Sequence, residues 1–322
     1  MRPLYIAVPG ELASAVRAHI ATYRLLEPDE YQLLSEPYPR GSAVTCAFAA
    51  ALVKLTDPSA IMTVIPASLG FPQDSRWITA IERAYRVAAT ERIAVLGSTR
   101  PDEEIEDLNG LIRPGAELKG TAGALEVRAF IAHPDDALTW RAQQQNALWS
   151  THIFMLRASL VLSELRHIGQ LPDVPSAPSA QRIAETARFF MMLEEKHWSD
   201  REAKELLATL PDSSFEELVF EVTEKLAVIP TSIEFIDLSN LRGYEKRVNP
   251  DAAGNRLRGK AIAVETRNST VLAYGGKLVV TLGVQDIIVV DMPDATLITT
   301  RDALRDMPLV THALKNAEAP EL

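Results

Sequence analysis

The run Ile61-Met62-Thr63-Val64-Ile65 constrains the fold of this chain more than any other stretch. Five apolar or β-branched residues without a charge are what a parallel strand buried on both faces needs. The apolar segment Ala43–Leu55 precedes it and stops at Asp57-Pro58, and Ser42 stands where a helix N-cap belongs. Trp77, Ile78, Ile81, Tyr85 and Ala88 follow at helical spacing. A strand held between two helices reads as part of an α/β unit, where ligands bind just past the carboxyl ends of the strands. That end carries Ser68, whose hydroxyl reads most simply as a cap on a backbone group.

The other elements extend the pattern. Leu4–Val8 and Tyr31–Leu34 read as short strands, Arg92–Leu96 and Trp149–Leu156 as further strands, and Ser159–His167 as a helix. Leu125, Val127, Ala129 and Ile131 alternate with unlike neighbours, as in a strand with two different faces. Residues 98–123, acidic and rich in glycine and proline, read as loop. Pro172, Pro175 and Pro178 mark a linker, followed by helical stretches over Ser179–Leu210 and Ser214–Lys225 and a strand over Ile233–Leu238. The expected fold class is α/β, with a doubly wound, mostly parallel sheet over residues 1–248.

After Asn249-Pro250 the period changes. Short strands recur near Ala261–Glu265, Thr270–Tyr274, Lys277–Leu282, Asp286–Asp291 and Thr296–Thr299, separated by turn residues such as Gly275-Gly276 and Pro293-Asp294. Spacing this even implies a small β-module over residues 249–322, either a meander or β-helix coils, with a helix near Pro308–Asn316. An apolar face repeated in this way is often completed by a second copy, so a homodimer is expected.

Charge narrows the partners. The chain has 322 residues with a formal net charge of −10, which argues against nucleic acid. The apolar stretch Gly41–Val53 carries no charge but is too short to span a bilayer. The opening Met1–Pro9 has no long apolar region, so a cytoplasmic protein with no membrane partner is expected. The single cysteine, Cys46, reads as a core residue of the helix that contains it.

Several segments together resemble one family, the bacterial mannose-1-phosphate guanylyltransferases. Gly283-Val284-Gln285-Asp286-Ile287-Ile288-Val289-Val290-Asp291-Met292-Pro293-Asp294-Ala295 resembles the family's closing G-L-x-D-x-V-V-V-D-T-P-D-A, after Gly254-Asn255 and Asn268-Ser269. Ser35-Glu36-Pro37-Tyr38-Pro39-Arg40-Gly41 resembles L-E-P-x-G-R-N, and Ile65-Pro66-Ala67-Ser68 resembles L-P-A-D. Phe130-Ile131-Ala132-His133-Pro134-Asp135 resembles F-x-E-K-P-D, Trp149-Ser150-Thr151-His152-Ile153-Phe154 resembles W-N-S-G-M-F, and the segment from Asp237 to Tyr244 resembles G-W-S-D-V-G-S-W. The resemblance implies a nucleotide-sugar pyrophosphorylase-like fold with a small C-terminal β-helix-like domain. It also implies a reaction between GTP and mannose 1-phosphate that depends on Mg²⁺ and cationic groups.

The departures fall where that chemistry belongs. The resemblance puts the metal carboxylates at positions 68 and 240, where this chain has Ser68 and Asn240. Ala132 and His133 stand for a glutamate–lysine pair, and Ser150 stands for an asparagine. The acidic stretch from Glu103 to Gly110 replaces a T-G-Y-G-Y loop, and the chain starts at the position of the family's second strand, without the glycine-rich loop. That arrangement expects Leu4–Val8 to move inward, or another chain to supply the missing strand, unless the true start codon lies upstream. Gly275-Gly276-Lys277 sits between strands and reads as a hairpin turn, not a phosphate loop.

The candidate cleft residues are therefore Glu36, Arg40, Ser68, His133, Ser150 and Asn240. Arg40 either contacts a phosphate or pairs with Glu36, and His133-Pro134-Asp135 reads as a strand-end turn. Ser150 and Thr151 are expected to face opposite sides of their strand, so no nucleophile–base pair is expected beside His152. The expected function is that of a degenerate guanylyltransferase-like protein, catalytically inactive, with a regulatory or structural role in nucleotide-sugar metabolism. It needs no cofactor, its ligand is a nucleotide sugar or sugar phosphate, and it associates with itself or with an active nucleotidyltransferase. The alternative is an active enzyme that uses Mg²⁺ to make GDP-mannose or a related nucleotide sugar.

Overall fold

A computed structural model describes residues 4–36, 38–70, 75–99, 110–121, 123–135, 137–138, 141, 145–192, 200–233, 235–238, 241–245 and 248–317. The chain forms two compact units, one of Met1–Ala67 with Pro72–Glu234, the other of Ser68–Phe71 with Phe235–Leu322. The division falls before the expected boundary at residue 248. Leu69–Gly70 pairs antiparallel with Ile236–Asp237, which draws both segments into the second unit.

In the first unit β1 (Leu4–Pro9), α1 (Ala13–Tyr23), β2 (Tyr31–Glu36), α2 (Gly41–Thr56) and β3 (Ile61–Val64) come first. After the short strand β4 (Leu69–Gly70) come α3 (Ser75–Ala88), β5 (Ile93–Ser98), β6 (Leu111–Glu117), β7 (Leu125–Ile131) and β8 (Leu148–Arg157). The unit closes with α4 (Ala158–Ile168), α5 (Ala177–Met192), α6 (Asp200–Ala208), a π-helical turn at Glu216–Phe220, and β9 (Leu226–Thr231). Its six-stranded sheet has the order β3-β8-β5-β9-β7-β6.

The strand Ile61–Val64 is not the centre of that sheet. It is an edge strand, only partly buried, and it pairs antiparallel with β8. The centre belongs to β5, whose six residues are all buried, between β8 and β9. β3, β5 and β9 run in one sense, but β8 threads between β3 and β5 in the opposite sense, and β7 opposes β9. The class is α/β as expected, with fewer parallel neighbours, because one long strand from later in the chain separates two earlier ones.

Leu4–Pro9 does not move inward. It pairs in parallel with β2 in a separate two-stranded sheet. Two strands in the first unit are absent from the sequence reading. β6 lies within the expected loop; Leu111 and Ile112 pair with both β7 and β8 and are buried, and Pro114 is tolerated because the pairing with β8 stops at Ile112 and that with β7 shifts register at Arg113/Pro114. β9 follows directly on the helical stretch.

The core is built from small and large residues in register. Ala43, Ala47, Ala50 and Ala51 make α2 narrow on the side that meets α4 and α5. Small residues let helix axes approach closely, and Leu160, Leu165, Ile183 and Ala187 fill the remaining space. Pro178 therefore starts a packed helix and is not part of a linker between domains.

The second unit adds β10 (Ile236–Asp237), α7 (Leu241–Glu245), six short strands and α8 (Met307–Asn316). β11 (Arg256–Gly259), β13 (Thr270–Ala273) and β15 (Ile287–Asp291) form parallel neighbours, as do β12 (Ala261–Val264) and β14 (Val279–Leu282). β16 (Thr296–Thr300) closes the larger sheet in the antiparallel sense. Gly254, Asn268 and Asp286 all adopt positive φ two residues before the paired positions Arg256, Thr270 and Ile288. The same corner thus recurs in successive coils of a β-helix. Gly275-Gly276 lies at another corner, between strands of different sheets, so it joins coils and closes no hairpin.

Buried polar groups tie the coils together. Asn255 donates to Thr266 O at 2.8 Å and accepts from Ser269 N at 3.1 Å. Arg301 donates to Asn268 O and to the buried Glu245, whose carboxylate also accepts from the Thr270 hydroxyl. Gly259 has φ +74°, and a Cβ there would overlap the carbonyl oxygen of Ala273. A Gly259→Ala variant therefore loses more than about 1 kcal/mol of stability, since neither the φ nor the space suits alanine. Hydrogen exchange should show the loss in the amides of β11 and β13, while β5 and β9 keep their protection.

Candidate functional site

The first unit holds a cavity of about 470 Å³. Ala7 of β1, Glu36 of β2, and Ser42, Thr45 and Cys46 of α2 form one side. Val64, Ile65 and Pro66 at the end of β3, Ala132 and His133 past β7, and His152 and Phe154 of β8 form another. Ser214, Glu216 and Glu217 also line it, and among the described residues the lining contains neither lysine nor arginine. The cavity lies beyond the carboxyl end of β3, where an α/β sheet places a ligand.

Two local distortions aim the polar groups inward. The pairing of β5 with β8 shifts register between Val95 and Gly97, opposite Phe154 and Ser150, so β8 bulges there. His152 sits in the bulge with φ +57°, a left-handed conformation that costs a β-carbon-bearing residue energy. The bulge is held by the Thr151 hydroxyl donating to Leu96 O at 2.9 Å and by His152 N donating to the Ser150 hydroxyl at 3.1 Å. Both Ser150 and Thr151 are buried, as on a strand covered on both faces. Bulges commonly re-aim a side chain next to a binding site.

Opposite the bulge, the π-helical turn begins with Glu216 and Glu217. Glu216 Oε1 lies 3.1 Å from His152 Nδ1, and its other oxygen accepts from the Ser42 hydroxyl at 3.5 Å. Glu217 Oε1 lies 2.6 Å from His133 Nε2. Adjacent glutamates thus hold two imidazoles from different strands. Beneath them Phe154 stacks on Phe215 at 5.4 Å, and Phe220 meets Phe154 and Phe130 edge-on at 5.1 and 5.2 Å. That aromatic cluster fixes the turn against the sheet.

The carboxylates differ in their environments. The backbone N–H of Ser214, with His133 and the Ser214 hydroxyl, holds Glu217 below the usual carboxylate range. Burial pushes Glu36 up, against the opposing hydrogen bond from the Thr45 hydroxyl at 2.6 Å. Burial, followed by the charges of Glu216 and Glu36, also pushes the Cys46 thiol up, so it remains a protonated core residue.

Among the described candidate residues of the first unit, two line this cavity and two do not. Glu36 and His133 line it. Arg40 turns away to the end of α6, donating from Nε to Leu207 O at 3.3 Å and also to Ala208 O, while its guanidinium covers the Tyr38 ring. It pairs with the exposed carbonyls of a helix C-terminus rather than with Glu36. Ser42 caps no helix end; its hydroxyl accepts from Phe215 N at 2.9 Å. Ser150 is fully buried behind the bulge. Ser68 lies in the second unit, where its carbonyl accepts from Leu238 N at 2.8 Å. Asn240 and most of the Glu103–Gly110 stretch lie outside the described residues.

Among the described residues no group of three His, Cys, Asp or Glu is arranged to hold a metal ion. Glu36, Glu216 and Glu217 are each committed to a different neighbour. Glu216 and Glu217 escaped the sequence reading, which names His152 only as a neighbour of Ser150 and Thr151 and gives it no role. The only local signal was the pair of adjacent acids at the start of a helical stretch.

Fold and site together define a nucleotidyltransferase-like α/β unit carrying a β-helix module. The family described as the MannoseP isomerase/GMP-like beta-helix domain matches residues 259–312. The chain is 26% identical over 297 residues to alginate biosynthesis protein AlgA of Pseudomonas aeruginosa, covering 89% of this chain and 56% of that protein. It is 28% identical over 290 residues to mannose-1-phosphate guanylyltransferase of Escherichia coli, covering 88% and 58%. The chain therefore spans a little over half the length of these curated relatives. The crystal structure of mannose-1-phosphate geranyltransferase from Thermus thermophilus superimposes with a TM-score of 0.76 at 22% identity. That match covers 97% of this chain and 84% of the other and shows a common fold. The resemblance read from the motifs is to the same proteins.

The two shifted carboxylates act oppositely on stability. Glu217, lowered by folding, stabilises the fold above the ordinary carboxylate range and loses that effect as pH falls through its own depressed pKa. Glu36, raised by folding, favours the fold when protonated and loses that contribution as pH rises through its raised pKa. Thermal melts between about pH 3 and pH 7 should therefore show Glu217→Gln less stable than the parent at neutral pH, with a gap that closes in acid. Glu36→Gln should be the more stable at neutral pH, and its advantage should also vanish in acid.

Proposed function

We propose that this chain is a mannose-1-phosphate guanylyltransferase-like protein in which guanylyl transfer is no longer carried out, and that its role in nucleotide-sugar metabolism is regulatory or structural. The observation carrying this reading is the cavity lining: Glu36, Glu216 and Glu217 against two imidazoles, with no lysine or arginine among the described residues. Transfer of a nucleotidyl group develops charge on phosphoryl oxygens and calls for cations aimed at them. A phosphate charge about 5 Å from one of these carboxylates meets roughly 3 kcal/mol of repulsion at an effective dielectric constant of about 20. A sugar ring, rich in hydroxyl donors, suits the carboxylate and imidazole acceptors better than its phosphate does. The regulatory role would be exercised by association, with a second copy or with an active nucleotidyltransferase, and the ligand would be a nucleotide sugar or sugar phosphate held through its sugar.

A second reading keeps the enzyme active, making GDP-mannose from GTP and mannose 1-phosphate with Mg²⁺. Its support is the similarity to AlgA and to the Escherichia coli enzyme over nearly the whole chain. His133 and His152 would then be the groups of the lining that meet the phosphate.

An assay with GTP, mannose 1-phosphate and Mg²⁺ separates the two. The first reading expects no GDP-mannose above a blank lacking protein. GDP-mannose formation that co-purifies with the chain and disappears in His152→Ala would establish the second.

A further inference from the structure

The carboxylates of the first unit's cavity are not equally provided for. Glu216 lies 3.1 Å from the imidazole of His152, and Glu217 lies 2.6 Å from that of His133. Glu36 has no such neighbour. Its Oε1 accepts from the Thr45 hydroxyl, and among the described residues nothing donates to its Oε2. Arg40, the cation nearest to it in sequence, is drawn instead to the carbonyls of Leu207 and Ala208. A partly buried carboxylate without a cation is disfavoured in its charged form, and burial accordingly pushes Glu36 up.

Glu36 and Glu216 are both held from one turn of α2. The Ser42 hydroxyl donates to Glu216 and the Thr45 hydroxyl to Glu36. Positions three apart on a helix are neighbours, with Cβ atoms about 5–6 Å from each other. After burial, the charges of Glu216 and Glu36 are what push the thiol of Cys46 up, so both lie within electrostatic reach of one side chain. The cavity is thus most acidic where α2 meets the end of β2.

A ligand can supply the missing charge. The volume of about 470 Å³ falls within the range of small-molecule pockets, roughly 300–1,000 Å³. Ala7, Val64, Ile65 and Pro66 offer an apolar wall to ring carbons, while the carboxylates call for donors. A hydroxyl brings one donor and no charge, whereas an ammonium brings three donors and a positive charge. Hydrogen bonds in which both partners are charged are the stronger kind.

We propose that the sugar this cavity holds is an amino sugar, its ammonium seated on Glu36 Oε2 beside Glu216. The proposal rests on the reading that the ligand is held through its sugar, and adds that this sugar carries a positive charge.

Ligand-observed NMR titrations of the full chain with D-mannosamine and with D-mannose test this. Just below neutral pH the amine carries its proton, and the two probes then differ only in an ammonium for a hydroxyl. Mannosamine should bind at least about tenfold more tightly than mannose, the margin of a hydrogen bond between charged groups. Glu36→Gln should abolish that preference and leave the affinity for mannose within about twofold of the parent. The variant keeps the size of the side chain and removes a carboxylate that burial disfavours, so it folds. Equal affinities for the two sugars, or a preference that survives Glu36→Gln, would overturn the amine alone. Saturable binding of neither sugar would overturn the amine together with the holding of a ligand through its sugar. Formation of GDP-mannose by the same preparation would instead contradict the loss of guanylyl transfer and leave the preference for the amine standing.

Discussion

The pairing of His152 with Glu216 is the contact on which the rest of the site depends. It spans the bulge in β8 and the π-helical turn at Glu216–Phe220, two irregularities that only make sense together. Without an acceptor at Glu216, little compensates His152 for its left-handed backbone. Without the wide turn, the adjacent Glu216 and Glu217 would not reach imidazoles on two separate strands. Strain of this kind persists where the surrounding structure over-determines it, and here the four-phenylalanine cluster beneath does so.

How much of this was legible in the sequence depends on the range of the contacts. The β-module was readable because each coil is local: a short strand, a corner residue able to take positive φ, another strand. β5 was readable because six consecutive buried residues leave no polar alternative. The order of the sheet was not readable, because β8 reaches its place between β3 and β5 only through pairings between residues distant in sequence. That insertion pushed Ile61–Val64 to an edge and left its apolar character as a poor guide to its position. β6 was obscured by Pro114 and Gly115, which a strand tolerates at a register shift and not in the middle of a regular pairing.

The site followed the same rule. Glu36 and His133 were found because they stand at strand ends in recognisable segments. Arg40 stood in a recognisable segment too, but the carbonyls ending α6 claimed it. Glu216 and Glu217 carry no motif, and His152 stands in a recognisable segment with no role read for it, since their meeting is produced by a bulge and a π-turn that no periodicity announces. The proposed loss of transfer is thus a change of sign: the described lining offers carboxylates and imidazoles where phosphoryl transfer calls for strong cations.

That change of sign is open to direct measurement. In an isothermal titration of the full chain with GTP in the presence of Mg²⁺, the account predicts no saturable binding up to about 1 mM, the upper end of ordinary substrate constants. Saturable binding near one equivalent, abolished by His152→Ala in a folded variant, would contradict it.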